Sequence, residues 1–312
     1  MKATSSTTVL AAGEASEAGQ NTEADVSTTV LVTGATGKVG RRLVPLLARR
    51  GITVRTASRS SLPERVGIEP VRFDWTDEST YETARKGVDA MYLVAGPVPQ
   101  AQHAGHIRAL LDGAAGQVVL LSTYGVDQAP PENPLRQIEL AVESSGVPYT
   151  ILRPGAFMQN FSEGLRWDES LAEGIRERDE IVHPGGDGVV SYVSTEDIAA
   201  IAATALTEDG HGGKAYAPVG PEPLTLTQVA EHISWVARRR IRYVETDRTP
   251  MRDALLAAGA PPETAEINSQ LHFHAFSSGA LGVLNDDVLD MTGRPPVSFA
   301  EFAVGAAAAW RR

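Results

Sequence analysis

Residues 29–51 read TVLVTGATGKVGRRLVPLLARRG, a pattern that predicts a strand, a glycine turn and a helix. The apolar run at residues 30–32 is typical of a strand that is buried on both faces. The turn carries three glycines at G-x-x-G-x-x-G spacing, Gly34, Gly37 and Gly40. Glycine lets the backbone approach a pyrophosphate, and free N–H groups at the start of the helix stabilise its negative charge. The segment therefore predicts a dinucleotide-binding unit.

The end of the next predicted strand indicates which dinucleotide binds. Residues 52–57 read as that strand, and Ser58 and Arg59 follow it, about 20 residues past the last glycine of the motif. An acidic residue at this place would accept a hydrogen bond from the adenosine ribose and select NAD. A guanidinium can instead bind a 2′-phosphate through two parallel hydrogen bonds. We therefore predict NADP(H), with Arg59 on the 2′-phosphate.

Further apolar runs predict the remaining strands of a parallel sheet, and ligands bind at the carboxyl ends of such strands. Residues at those ends join the glycine turn in the predicted cofactor-binding set. That set is Gly34, Thr36, Gly37, Lys38, Val39, Gly40, Ser58, Arg59, Asp74, Trp75, Ala95, Gly96, Pro97, Ser122, Thr123, Pro154 and Gly155. Two roles are open for Asp74, contact with the adenine edge and capping of the helix that follows.

The composition excludes several kinds of site. A net charge of −11 argues against a nucleic-acid-binding surface. The chain has no cysteine, which excludes disulfides, thiolate metal sites and a cysteine nucleophile, and no metal site is predicted. No apolar run is long enough to span a membrane, and the N-terminal residues make a poor signal peptide. We therefore expect a cytoplasmic protein with neither a nucleic-acid nor a membrane partner.

Strands and helices alternate over the first two-thirds of the chain, which predicts an α/β fold with a Rossmann-type, doubly wound parallel sheet. Residues 29–155 are expected to form the NADP-binding domain, with residues 181–210 returning to it. Residues 156–180 and 211–312 are expected to form a smaller, mostly helical cap that binds the substrate. Residues 1–28 have few large apolar side chains and are expected to form a disordered tail.

The substrate pocket is predicted between the strand ends and this cap, where aromatic and thioether groups suit a flat, apolar substrate. The candidate substrate-binding residues are Tyr124, Phe157, Met158, Asn160, Trp167, Tyr192, His272 and His274. Core packing is the competing interpretation for Phe157 and Met158, and a surface position is the competing one for the two histidines. His103 and His106, at the start of another predicted helix, are expected to be surface or capping residues.

Several motifs together give the chain a family resemblance. They are residues 34–40, Ser58-Arg59, Arg153-Pro154-Gly155 with Phe157 and Asn160, Tyr192-Val193 with Asp197-Ile198-Ala199, and Gly293-Arg294-Pro295 before Phe299 and Phe302. From about residue 29 to the C-terminus the chain resembles the NmrA-like branch of the atypical short-chain dehydrogenases/reductases. The resemblance implies a Rossmann domain, a small C-terminal substrate domain and bound NADP(H). Family members include quinone, azo-compound, isoflavone-type and phenylcoumaran-type reductases, and redox sensors that bind the cofactor.

The chain departs from the family in its proton relay. Typical short-chain reductases carry Tyr-x-x-x-Lys, in which the lysine lowers the pKa of the tyrosine. Here Tyr124 is followed four residues later by Gln128. The lysine of the lignan-type reductases is also missing, because Leu135 and Gln137 hold the corresponding positions. Glu139 matches a glutamate often seen in the quinone-reductase-like members.

Our first functional hypothesis is an NADPH-dependent reductase of a small aromatic, quinone-like or conjugated substrate. Such an acceptor forms a stabilised oxyanion that takes its proton from water, and Tyr124 or Ser122 can donate a hydrogen bond to it. These two residues are the predicted catalytic groups. Two alternatives remain open: a non-catalytic NADP(H) sensor acting through a protein partner, and a non-redox isomerase or epimerase. The sequence does not indicate an oligomeric state.

Overall fold

The computed structural model describes residues 28–60, 64–95, 100–114, 116–164, 169–257 and 259–312. The predicted tail lies outside these ranges except for its last residue. Gly96, Pro97 and Trp167 also lie outside them, so their predicted roles stay predictions.

Seven parallel strands form the main sheet, in the order β3-β2-β1-β4-β5-β6-β8. Their bounds are β1 Thr29–Val32, β2 Thr53–Ser58, β3 Ile68–Arg72, β4 Ala90–Val94, β5 Gln117–Leu121, β6 Tyr149–Leu152 and β8 Lys214–Tyr216. A second sheet pairs β7, Glu180–His183, in parallel with β9, Arg242–Glu245. The strand order reverses between β1 and β4, which creates the crevice where dinucleotides bind in this fold.

Some of the helices cover the two faces of the main sheet, and others belong to a smaller body. Their bounds are α1 Gly40–Arg49, α2 Tyr81–Arg85, α3 Gln100–Leu111, α4 Pro134–Glu143, α5 Glu169–Glu173, α6 Thr195–Thr207, α7 Leu226–Ala237, α8 Thr249–Ala257, α9 Pro262–Ser277, α10 Asp287–Thr292 and α11 Phe299–Ala306. Val30 and Val32 face α1 and α6, whereas Leu31 faces the other layer with α2, α3 and α4. This alternation follows from the two-residue period of a strand and confirms the predicted α/β fold.

The remaining elements form a smaller body with its own apolar core. That core brings together the 3₁₀ turn Met158–Phe161, strand β7 and helices α7 and α11. The indole N–H of the fully buried Trp310 donates to the carbonyl of Phe161 at 2.7 Å, which fixes the C-terminal turn against it. None of the helices in the described part of the chain has the length and apolar character that a membrane crossing needs.

Strand pairing differs at two places from the domain boundaries that we predicted. Strand β7 lies in the segment expected to return to the nucleotide domain, yet it pairs with β9 in the small sheet. Strand β8 lies in the segment expected to be part of the cap, yet it extends the main sheet beside β6. Helix α6 does return, since it packs on α1. The division into domains stays a prediction.

Candidate cofactor and active site

The glycine turn has the shape that a bound pyrophosphate requires. Gly34 adopts a φ of +62°, and the N–H of Gly37 donates to its carbonyl at 2.9 Å. A Cβ added at Gly40 would lie 2.2 Å from the same carbonyl oxygen, so no larger residue fits there. Within the described structure, the N–H groups of Thr36 and Val39 donate to no other group. These groups precede α1 and are available to a phosphate.

Thr33, which the sequence analysis missed, joins the two strands at the crevice. Its hydroxyl donates to the carbonyl of Tyr92 at 3.1 Å and accepts from the N–H of Val94 at 2.8 Å. Val94 in turn packs against Gly34, at 3.4 Å from the position of a Cβ there. The position of Thr33, as a polar residue between a buried strand and the first glycine, is the feature of the sequence that could have indicated this role. Thr33 therefore fixes the glycine turn against the end of β4.

The predicted 2′-phosphate site lies at the exposed end of β2. Ser58 accepts from the N–H of Ser60 at 3.2 Å, and Arg59 is exposed. Among the described residues, Arg59 has no ion pair or hydrogen bond, so its guanidinium is available to a ligand.

The capping role considered for Asp74 is wrong. Its carboxylate accepts from the N–H and the hydroxyl of Thr76, and these bonds, with a smaller contribution from Arg59, lower its pKa. The following 3₁₀ turn is capped by Asp77 instead. Contact of Asp74 with the adenine edge stays a prediction. Trp75 is buried among Phe73, Tyr81 and His103, and its predicted cofactor contact is likewise untested.

The ends of β4, β5 and β6 bring two predicted cofactor residues, Ala95 and Ser122, beside Arg153. The register pairs Val94 with Leu121 and Leu121 with Leu152, so the residues that follow them are neighbours. Those residues are Ala95, Ser122 and Arg153. Farther along, the N–H of Tyr124 donates to the carbonyl of Pro154 at 3.0 Å. Thr123 is exposed, and Pro154 is buried beside the half-buried Gly155.

A buried carboxylate lies behind Ser122. Glu139 is fully buried in α4, and the Ser122 hydroxyl donates to its Oε1 at 2.6 Å. Arg153 binds both oxygens of Glu139, at 2.9 and 3.0 Å, and Arg136 binds one at 2.8 Å. The hydroxyl proton of Ser122 is thus already engaged, which conflicts with the predicted role of Ser122 as a donor to a substrate oxyanion.

Tyr124 is half-buried at the end of β5. Gln128, which holds the position of the usual lysine, donates to Asp127 at 2.9 Å on the surface. The structure therefore offers no lysine at the position of the usual relay.

Lys38 and Asn160 connect the glycine turn with the smaller body. The buried Lys38 donates from Nζ to the Oδ1 of Asn160 at 2.7 Å. Beside this contact, Arg41 and Arg42 at the start of α1 both pair with Glu163, at 2.7 and 2.6 Å. Asn160, at the end of the motif at residues 153–160, thus contacts the glycine turn.

Two of the predicted substrate residues are core residues of the smaller body. Tyr192 is 3% exposed, and its ring packs on Phe161 and Phe299 with centroids 5.2 and 6.0 Å apart. Burial raises the pKa of Tyr192, so its phenol stays neutral. Met158 is 1% exposed in the same core. Phe157 is half-buried and packs against the main-sheet core.

The candidate histidines lie in two different environments. The Nε2 of His272 is 2.9 Å from the Nε2 of His183, and its ring stacks on Phe276. Burial lowers the pKa of His183 to about 3 and that of His272 to about 4, so both rings are neutral near pH 7 and one donates to the other. His274 is exposed.

The expectation for His103 was wrong. Its ring is fully buried and packs edge-on against Trp75, because α3 turns that face toward the sheet. His106 is half-buried one turn later.

One cavity lies away from these residues. It has a volume of about 690 Å³ between the start of α6 and α11, and its lining includes Arg42, Ser194, Arg294 and Phe302. Both arginines are already ion-paired, Arg42 with Glu163 and Arg294 with Asp197. None of the predicted site residues lines it. Within the described ranges, no group of three or more histidine, aspartate or glutamate side chains could hold a metal ion.

Known proteins resemble this chain over most of its length. The model of a family described as NAD(P)H-binding matches residues 34–209, more than half of the chain. The chain belongs to this family. It is 33% identical to an NAD(P)H azoreductase of Xenophilus azovorans, over 90% of this chain and 99% of that protein.

Solved structures extend the comparison. The NADPH-dependent quinone oxidoreductase QOR2 of Escherichia coli, solved with NADPH, is 25% identical with a TM-score of 0.72, covering 88% of this chain and 99% of that one. A structure of Nmra, described as a negative transcriptional regulator in complex with NAD, has a TM-score of 0.66 at 18% identity, covering 89% and 94%. The latter likeness concerns the fold alone.

These comparisons confirm three predictions. The resemblance holds, because the chain belongs to the NAD(P)H-binding family and shares the fold of Nmra. The protein is an NAD(P)H-dependent oxidoreductase, and NAD(P)H is its cofactor. The glycine turn fits that cofactor, because the N–H groups of Thr36 and Val39, which have no acceptor among the described residues, lie at the start of α1, where a pyrophosphate binds.

Proposed function

We propose that the protein is an NADPH-dependent reductase of a small aromatic, quinone-like or conjugated acceptor. The observation that carries this proposal is the convergence of the glycine turn, Ser122 and Tyr124 at the carboxyl ends of β1 and β5, within one parallel sheet. Ligands bind at this edge in such sheets. The names of the relatives support the substrate class, since one is an azoreductase and another a quinone oxidoreductase.

The preference for NADP(H) is part of the proposal. Arg59 is exposed and forms no hydrogen bond or ion pair among the described residues, so it is available to a 2′-phosphate. The free N–H groups of Thr36 and Val39 would bind the pyrophosphate at the start of α1. Ala95, Ser122 and Pro154 would surround the nicotinamide half.

The chain's own residues would orient the reactants and stabilise charge. Bound NADPH supplies the hydride, and the protein supplies position and electrostatics. Reduction of a conjugated acceptor produces a delocalised oxyanion. Tyr124 would donate a hydrogen bond to that oxyanion from the end of β5. Such an oxyanion takes its proton from water, so the lysine of the usual relay is not required.

The smaller body would cover the acceptor. We place Tyr124, Phe157, Asn160 and Trp167 at the substrate, and leave out Met158 and Tyr192 because both are buried in a packed core. His272 is held by His183 and Phe276, which leaves it a structural role in the smaller body.

A non-catalytic NADP(H) sensor is the second candidate. The observation in its favour is the surface glutamine at position 128, where catalytic relatives of the usual type carry lysine. A sensor would bind the oxidised and reduced cofactor with different affinities and act through a protein partner.

The Tyr124→Phe variant tests the reductase function. If Tyr124 stabilises the oxyanion, the variant should lower kcat for a quinone about tenfold or more while NADPH affinity stays within twofold of wild type. Unchanged kcat in the variant would remove Tyr124 from the mechanism. A wild type that binds NADPH and reduces no acceptor would favour the sensor.

A further inference from the structure

The contact between Ser122 and Glu139 decides which way the serine proton points. The two oxygens are 2.6 Å apart, and Glu139 is 0% exposed. A serine hydroxyl has one proton to donate and two lone pairs to accept with, whereas an ionised carboxylate can only accept. In this bond Ser122 is the donor and the Glu139 carboxylate is the acceptor.

Two arginines bind the carboxylate of Glu139. Arg153 is the residue directly after β6. It forms two charge-assisted hydrogen bonds with the carboxylate, and these bonds raise the pKa of Arg153. Arg136 forms a third bond, at 2.8 Å, and is itself held by Glu143. With a carboxylate behind it, Ser122 must donate to Glu139. Its oxygen can then only accept from a third group.

The position of Ser122 indicates which group that is. Ser122 directly follows β5, between the ends of β4 and β6, at the edge where the nicotinamide half of a dinucleotide lies in this fold. The pyrophosphate and a substrate oxyanion have no proton to give. The nicotinamide half carries two kinds of donor, the carboxamide amine and the ribose hydroxyls.

We infer that Glu139 is a positioning residue that holds Ser122 as a hydrogen-bond acceptor for a donor on the nicotinamide half of NADPH. This inference rests on the cofactor part of the proposed function. Ser122 then does not stabilise the substrate oxyanion, and that role belongs to Tyr124. Glu139 then acts on the cofactor only through Ser122, and Arg136 and Arg153 hold the Glu139 carboxylate in place.

A double-mutant cycle on cofactor affinity tests this chain of contacts. The dissociation constant of NADPH is measured by fluorescence, with no acceptor present, for wild type, Ser122→Ala, Glu139→Gln and the double variant. Loss of one neutral hydrogen bond should weaken NADPH binding about fivefold in Ser122→Ala. Glu139→Gln should weaken it in the wild-type background and add nothing in the Ser122→Ala background.

The Glu143→Gln variant is the matched control. It also removes a partner of Arg136, but Glu143 does not contact Ser122. Its NADPH affinity should equal that of wild type. Its melting temperature should show how much stability is lost when Arg136 has one partner fewer. A merely structural role for Glu139 would instead give additive losses in the cycle, and that result would overturn the inference.

A cofactor analogue tests the serine without any change at Glu139, in case Glu139→Gln does not fold. The acetylpyridine analogue of the cofactor replaces the carboxamide amine with a methyl group. If Ser122→Ala leaves the affinity for this analogue unchanged, the carboxamide amine is the donor to Ser122. If Ser122→Ala weakens binding of the analogue as much as binding of NADPH, a ribose hydroxyl is the donor. Equal NADPH affinity in wild type and Ser122→Ala would overturn the inference. Because no acceptor is present, these results hold whether or not the protein turns over.

Discussion

Lys38 and Asn160 lie 122 positions apart in the chain, and the Nζ of Lys38 donates to the Oδ1 of Asn160 at 2.7 Å. The contact joins the glycine turn to the motif that follows β6. Lys38 is 7% exposed, so its ammonium group depends on partners within the protein. The pair therefore ties the smaller body to the nucleotide site.

Replacing Asn160 should destabilise the protein more than breaking the nearby surface pair. A hydrogen bond to a charged group contributes about 2 kcal/mol, and Asn160→Ala should lower the free energy of unfolding by about that amount. Glu163→Gln removes a more exposed partner of Arg41 and Arg42 and should cost less than about 1 kcal/mol. Urea unfolding measures both values, and the reverse order would show that the Lys38 contact contributes little.

Arg59 should determine the choice of nucleotide. Arg59→Ala should weaken NADPH binding about thirtyfold, because a charged, paired hydrogen-bond contact contributes about 2 kcal/mol. NADH affinity should stay unchanged, since NADH has no 2′-phosphate. Arg49→Ala, at the far end of α1, is the matched control and should bind both nucleotides as wild type does. Equal affinity of wild type for NADPH and NADH would contradict the assignment.

Gly40 should tolerate no side chain. In Gly40→Ala the new Cβ would lie 2.2 Å from the carbonyl oxygen of Gly34, and the turn would have to move. We expect lost NADPH binding and a lower melting temperature. Gly105→Ala in α3 is the comparison, because nothing lies within 4 Å of a Cβ at that position. Since alanine favours helix more than glycine does, this variant should have a free energy of unfolding about 0.5–1 kcal/mol higher than wild type. Normal NADPH binding by Gly40→Ala would contradict the proposed pyrophosphate site.

The buried histidine pair should make stability sensitive to acid. In the folded protein the pKa of His183 is about 3 and that of His272 about 4, both below the ordinary 6.5. Below pH 6.5 the unfolded chain binds protons that the folded chain does not, so stability falls as the pH falls toward 4. Each histidine contributes about 1 kcal/mol per pH unit in that window.

The His272→Gln variant tests this pH dependence. Its amide can still donate to the Nε2 of His183, but it does not titrate. The free energy of unfolding, measured from pH 7 to pH 5, should fall about half as steeply as in wild type. His274→Gln, on the exposed side of α9, should follow the wild-type curve. Equal slopes in wild type and His272→Gln would show that the pair does not account for the acid sensitivity.

The main sheet and the glycine turn could be predicted because their signals are local. An apolar run, three spaced glycines and a helical period lie within residues 29–51, and all of them describe one βα unit. Strands β7 and β9 have short and mixed sequences, and their pairing joins residues about 60 positions apart, as Glu180 with Arg242. No periodicity within either segment indicates its partner.

The contacts that give the site its chemistry could not be predicted in the same way. The sequence around Glu139 does not indicate that it meets Ser122 and Arg153, which follow two different strands. Tyr192 and Met158 have the side chains of a substrate pocket, yet tertiary packing buries both in a core. The residue types show which functional groups the chain contains. Only the three-dimensional fold shows which of these groups lie in contact with one another.

The most direct test of the reductase function is the fate of NADPH on mixing with an acceptor. Purified protein with bound NADPH is mixed with a panel of quinones, and the nicotinamide absorbance is followed, with ordinary cofactor and with cofactor deuterated at the transferable position. We expect repeated turnover with at least one quinone, slower with the deuterated cofactor, because hydride transfer is the protein's chemistry. Tightly bound NADPH that no quinone oxidises would contradict the reductase function.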